Sequence, residues 1–261
     1  MAGRILDKGD RFEYLDKSKD QRGSSRSALT VANESLYHFN SGAAITPGLV
    51  LTNTTPVAAA TYGLGLGGRA VLTSDDVLAT SVVLNTFLLW QADRGTKATE
   101  GPSIVFEAKV SFGTLATREF FVGLTDASAV NDPIALSLTS TFTTSVPADY
   151  ALIGFSATPT SGAAFTAGGN NHVAIAGNNG TDAVVATGKG AVATATFYTY
   201  RVEVDYKGTA SFFVNGGFLG YKPQALRATV PVCGVIIGTP RTTAGSAEAV
   251  ITADYMYIGG I

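Results

Sequence analysis

From residue 103 the chain alternates. Ile104, Phe106, Ala108 and Val110 fall on one side, and Val105, Glu107, Lys109 and Ser111 on the other. This is the period-two pattern of a strand that turns one face to a core. Similar β-branched and aromatic runs recur at residues 118–125, 150–156, 234–238 and 249–258, separated by clusters of Gly, Asn, Pro and Ser. Around residue 200 the pattern sets Tyr200, Val202, Val204 and Tyr206 inward and Arg201, Glu203, Asp205 and Lys207 outward. Lys207-Gly208 then predicts a turn, and Phe212 and Val214 return to the core side before a second turn at Asn215-Gly216-Gly217. Residues 75–90 are the one helix candidate, but Thr80, Val82, Val83 and Thr86 favour a strand there. The chain is therefore expected to be an all-β sandwich.

Charge divides this pattern into unequal parts. Residues 1–34 hold seven of the 18 Lys and Arg and six of the 20 Asp and Glu. The expected organisation is a charged, extended N-terminal arm at 1–34, a connecting and edge-strand segment at 35–68, and a β-sandwich at 69–261. A polar arm of this kind orders only against a partner, because it cannot bury enough apolar surface by itself. Its sparse anchors, Ile5, Leu6, Phe12, Tyr14 and Leu15, together with Arg4, are the candidate contacts to another subunit or shell. The remaining body is poor in charge, at 15% of the whole chain against 46% hydrophobic residues, with a mean hydropathy of +0.23. That composition suits faces covered by other protein, since interfaces between permanent subunits are more apolar than ordinary surface.

The same composition excludes several classes of chemistry. A net charge of −2 gives no basic footprint for nucleic acid. No apolar run reaches a membrane span, and the first ten residues lack the apolar stretch of a secretory leader, so the chain is expected to be made in a cytoplasm. Cys233, the single cysteine, has apolar neighbours and is expected to be a buried, inert thiol. Gly63-Leu-Gly-Leu-Gly-Gly68 has the spacing of a dinucleotide-binding loop, but Arg69-Ala-Val-Leu-Thr73 after it reads as a strand where that loop needs a helix. His38 and His172 are too far apart to suggest a metal site, and Asp126 and Asp132 read as an Asx-rich turn before they read as calcium ligands. No cofactor is expected. Residues 158–196 are rich in Gly, Asn, Ala and Thr, and two turn tips there flank a short strand at 173–176. Asn170, Asn171, His172, Asn178 and Asn179 are the candidate surface binding loops. Glu203 and Asp205, two apart on one strand, would share a face about 7 Å apart, a spacing open to glycosidase chemistry.

The paired strands of Tyr200 to Gly217, ending in Val214-Asn215-Gly216, resemble those of concanavalin A-like lectin/glucanase jelly rolls. Ile104-Val-Phe-Glu-Ala-Lys-Val110 followed by Phe121-Val-Gly-Leu-Thr-Asp126 is similar to a strand pair in the subset of that fold carried by tailed-phage virion proteins. The resemblance implies a capsid decoration or cement protein on the outer surface of a virion. Its partners would be the major capsid protein and sister subunits, often in a homotrimer. The alternative it leaves open is a lectin-like domain of a spike or fibre that binds a host-surface glycan. Glucanases of the family carry a third carboxylate three residues beyond the second, where this chain has Gly208, so the resemblance implies no enzyme.

Overall fold

The computed structural model describes residues 4–7, 12–15, 34–38, 49–53, 61–65, 69–74, 81–86, 90–92, 103–116, 118–126, 136–138, 142–144, 149–156, 171–179, 181–240 and 248–260. In chain order its strands begin with β1 (Arg4–Asp7), β2 (Phe12–Leu15), β3 (Glu34–His38), β4 (Leu49–Asn53), β5 (Thr61–Gly65), β6 (Arg69–Thr73) and β7 (Val82–Thr86). They continue with β8 (Ile104–Phe112), β9 (Arg118–Thr125), β10 (Leu136–Leu138), β11 (Phe142–Thr144), β12 (Tyr150–Ser156) and β13 (Asn171–Asn178). The last six are β14 (Thr181–Ala191), β15 (Phe197–Val204), β16 (Ala210–Val214), β17 (Gly217–Lys222), β18 (Cys233–Pro240) and β19 (Val250–Gly260). No α-helix occurs among the described residues, and the 75–90 segment contributes the strand β7.

Two units divide the chain, Met1–Asn33 and Glu34–Ile261. In the first, β1 and β2 pair antiparallel, with Ile5 opposite Tyr14 and Leu6 opposite Glu13. In the second, two antiparallel sheets pack face to face. One runs β14-β13-β12-β9-β18-β7-β4 and the other β17-β16-β15-β8-β19-β6-β5, with β3 also paired to β19. β10 and β11 form a separate two-stranded ribbon. β5 and β6 are antiparallel neighbours with Gly65 opposite Arg69, so the glycine-rich motif joins two strands of a hairpin and opens no helix.

The inward rows of both sheets build the main core. Phe112 on β8, Phe120 on β9, Phe155 on β12 and Tyr200 on β15 meet across it. Phe112 stacks on Phe120 at 4.7 Å between ring centroids and lies 6.0 Å from Tyr200, and Phe120 stacks on Phe155 at 5.5 Å. Such pairs add about 0.5–1.5 kcal/mol each beyond the area they bury. Phe212 and Val214 are buried as the alternation predicts. A second apolar cluster, which includes Phe121, Tyr150, Leu152, Ile175, Cys233 and Val235, covers the other face of the seven-stranded sheet. Cys233 is buried there, and burial pushes its thiol pKa up to about 12.

One end of the sandwich is closed by residues 223–232, which run from β17 of one sheet to β18 of the other. Within this strap Ala225 and Leu226 are buried. Asp149, fully buried at the start of β12, accepts the Arg227 backbone N–H at 2.6 Å and its Nε at 2.8 Å. Gly208 is seated below the strap with φ +80°, and a Cβ there would lie 2.0 Å from the Leu226 carbonyl oxygen. A glycine is needed at this point for both its conformation and its size.

The structure corrects three expectations. His172 is no loop residue: it lies within β13 and is buried between the sheets, with its ring edge-on to Tyr198 at 4.8 Å and Tyr200 at 5.5 Å. Its Nδ1 is 3.1 Å from the Tyr200 hydroxyl in a hydrogen bond. The strand predicted at 173–176 extends at both ends into β13, and β14 follows it after Asn179, whose φ of +51° marks a tight hairpin turn. Tyr206, expected inward, is 43% exposed because the strand ends at Val204.

Burial lowers the pKa of His172 from 6.5 to about 4. The unfolded chain then binds a proton below pH 6.5 that the folded chain refuses until about pH 4, so stability falls as the pH falls through that window. Between about pH 7 and pH 5 this group removes about 2 kcal/mol of stability. Urea unfolding at the two pH values should show this drop, and His172→Asn, which does not titrate, should show a smaller one. An equal pH slope in the variant would contradict the assignment.

Candidate functional site

Glu203 and Asp205 do not form a facing carboxylate pair. Asp205 lies just past the end of β15, and its Oδ1 accepts the backbone N–H groups of Lys207 and Thr209, both at 2.8 Å. It holds the turn into β16, as a short carboxylate does when it competes for backbone donors. Glu203 remains on the strand and faces outward. Its Oε1 accepts Arg201 Nε at 2.7 Å and Nη2 at 2.5 Å. Arg201 also lies 3.6 Å from Glu107 Oε2 on β8, its direct cross-strand neighbour. Tyr255 on β19 donates its hydroxyl to Glu107 Oε1 at 2.5 Å. Burial, followed by that carboxylate, raises the Tyr255 pKa above its usual value. Farther along the same outer face, Lys109 at 2.7 Å and Arg69 at 3.4 Å share Asp254, and Lys109 in particular holds that carboxyl below its ordinary pKa.

The exposed aromatic side chains lie beside this network. β16 and β17 are joined by Asn215-Gly216, with φ values of +49° and +75°, and Val214 faces Gly217 across the turn. An Asn-Gly pair with both residues in the left-handed region makes the two-residue hairpin turn that fits strand twist. Phe213 then pairs with Phe218, Phe212 with Gly220 and Ser211 with Tyr221, which leaves Leu219 as an extra residue. Leu219 packs on the main core. In a regular strand, residues 218 and 221 would point to opposite faces. The bulge at Leu219 turns Tyr221 to the same outer side as Phe218. Phe218 is 49% and Tyr221 62% exposed, while the Phe213 ring supports Phe218 edge-on at 5.6 Å between centroids.

Register completes the site. Arg201 is opposite Phe213, and Glu203 is opposite Ser211. Two outward rows therefore cross three strands: Arg201, Phe213 and Phe218 in one, Glu203, Ser211 and Tyr221 in the other. Aromatic rings thus stand next to a carboxylate, a hydroxyl and a guanidinium on one open face.

The residues singled out from sequence lie elsewhere. Asn178 and Asn179 are at the β13–β14 tip, where Asn178 Nδ2 donates to the Gln224 carbonyl at 2.6 Å. Asn171 begins β13, and Asn170 is outside the described residues. Arg4, Ile5 and Leu6 are on β1, and Phe12, Tyr14 and Leu15 on β2. Asp126 is described and Asp132 is not, and no group of metal-ligating side chains occurs among the described residues. Tyr221 was hidden by the bulge, for strict alternation along β17 from Gly217, the partner of inward Val214, puts it inward. The available signal was Phe218-Leu-Gly-Tyr221 directly after an Asn-Gly turn, two aromatic residues on what becomes an edge strand.

No protein-family model matches the chain, and no curated protein matches it. Solved structures do. A peanut lectin superposes with a TM-score of 0.58 at 11% identity, over 86% of this chain and 97% of that one. A Bacillus licheniformis beta-glucanase gives 0.57 at 9%, over 88% and 99%. The carbohydrate recognition domain of Emp47p gives 0.52 at 11%, over 88% and 97%. None of the three is a virion or capsid protein, and lectin and glucanase stand side by side among them. Together with the two antiparallel sheets, they show that this chain has the concanavalin A-like lectin/glucanase jelly-roll fold.

Proposed function

We propose that this protein is a lectin-like carbohydrate-binding protein whose binding surface is the outer face of β15, β16 and β17. The observation that carries the reading is the bulge at Leu219, which sets Phe218 and Tyr221 side by side in solvent. A sugar has apolar C–H faces and a rim of hydroxyls, so it is recognised by a ring beneath it and hydrogen-bonding groups around it. Phe218 and Tyr221 supply the rings, and Glu203, Ser211 and Arg201 the rim. Two fold neighbours, a lectin and a carbohydrate recognition domain, agree with it. The reading is one of binding without bond cleavage, because Asp205 is tied to the backbone and cannot act opposite Glu203.

A glycan array probed with the whole chain tests this. The expected result is saturable binding that drops about tenfold or more in Phe218→Ala and in Tyr221→Ala. Tyr206→Ala, which removes an exposed ring from the neighbouring turn, should bind as the parent does. Binding unchanged in both β17 variants would overturn the assignment.

A second reading makes the chain a virion surface protein that attaches to a capsid shell through its N-terminal unit. It is favoured by the concentration of charge in residues 1–34 and by the separation of Met1–Asn33 as a unit of its own. On this reading, removal of residues 1–30 leaves a folded body that no longer co-sediments with capsids. Full co-sedimentation of the truncated chain would reject it.

A further inference from the structure

The two rings do more than mark a site, because their spacing, openness and electrostatic setting restrict what can lie on them. Phe218 and Tyr221 stand opposite Phe213 and Ser211, two residues apart on β16, so the two rings are set about 7 Å apart along the sheet, more than one sugar unit spans. Both project from an edge strand, Phe218 about half and Tyr221 more than half exposed. A pocket for a single sugar would enclose most of its ligand's surface. An open pair of platforms instead suits a chain that passes over it, with different units resting on the two rings.

The charges point the same way. Arg201, the cation within the two outward rows, is engaged by Glu203 at 2.5 Å and faces Glu107 at 3.6 Å. Its charge is thereby taken up within the sheet. Lys222 follows Tyr221 and so falls on the other side of β17. Within the two rows a carboxylated or sulfated sugar would therefore meet Glu203 with no second cation beside it, while the exposed Lys207 of the adjoining turn stands over the Tyr206 ring at 5.3 Å from its centroid. Glu203 Oε1 is occupied by Arg201, whereas Oε2 has no bond among the described residues and can accept a sugar hydroxyl.

Resting on the carbohydrate-binding reading above, we propose that the β15–β17 face binds internal stretches of an uncharged, extended polysaccharide and discriminates against single sugars and acidic polymers. Affinity is shared between two stacking contacts that one chain can make together. Each contact alone is weak, and their linkage through one ligand raises the apparent affinity.

Affinity electrophoresis of the full chain tests the proposal. The gels carry neutral polymers (mixed-linkage glucan, xylan, mannan, hydroxyethylcellulose) or acidic ones (alginate, hyaluronan). The expected result is retardation by at least one neutral polymer that persists in high salt, where contacts between exposed charges are screened. Fragments of that polymer of tetrasaccharide length or longer should compete about tenfold or more better than its monosaccharide. In Phe218→Ala, and separately in Tyr221→Ala, this length advantage should shrink as one platform is lost. Retardation by acidic polymers alone, relieved by salt, would overturn the inference and leave carbohydrate binding standing, as would a monosaccharide that competes equally well. Absence of retardation in every gel, together with a blank glycan array, would overturn both.

Discussion

The structure depends on the two-sidedness of β15. Tyr198, Tyr200, Val202 and Val204 are buried against the opposing sheet, and Phe197, Thr199, Arg201 and Glu203 are forced outward between them. A slip of one residue against β8 or β16 would drive a guanidinium and a carboxylate into an aromatic core, at a cost far above that of any surface contact. The register is therefore fixed from the inside. Because it is fixed, Arg201 meets Glu107 on one neighbour and Phe213 on the other, and Glu203 meets Ser211. The arrangement of the outer face follows from packing on the inner one.

That dependence accounts for what was legible in the sequence. Alternation in β8 and β15, the turns after Val214 and Asn178, and the strand after the glycine-rich stretch all follow local rules, and the structure contains each of them. The sandwich and its fold type could thus be read residue by residue. Other features were not legible, because they arise between elements. His172 reads as a turn residue among Gly and Asn, yet it is drawn into β13 by partners at Tyr198 and Tyr200, far along the chain. The burial of Asp149 depends on an Arg227 that arrives 78 positions later. The outward facing of Tyr221 beside Phe218 was missed for the same reason, since the Leu219 bulge exists only in the pairing of β17 with β16.

The bulge links stability to function at one residue. Leu219 follows the outward Phe218 and packs on the core, and the extra residue in the strand there reverses the facing of every residue after it. Gly220 then lies opposite Phe212, and Tyr221 opposite Ser211 on the outside. The local distortion also suits an edge strand, where a regular and flat ladder would invite pairing with other chains.

The same reasoning separates binding from catalysis on this face. Two carboxylates two residues apart share a side only while the strand continues, and β15 ends at Val204. Past that point the chain must turn, and Asp205 satisfies the turn's backbone donors at Lys207 and Thr209. Gly208 closes the turn beneath the strap in a conformation and a space that suit no larger residue, so the sequence has no room there for a further carboxylate. Glu203 stays beside the two rings with one oxygen given to Arg201, which also faces Glu107 on the neighbouring strand. An acceptor held in this way can orient a hydroxyl. Cleavage of a glycosidic bond requires an acid and a base that face each other across the sugar, and the geometry that fixes the turn takes Asp205 out of that role opposite Glu203.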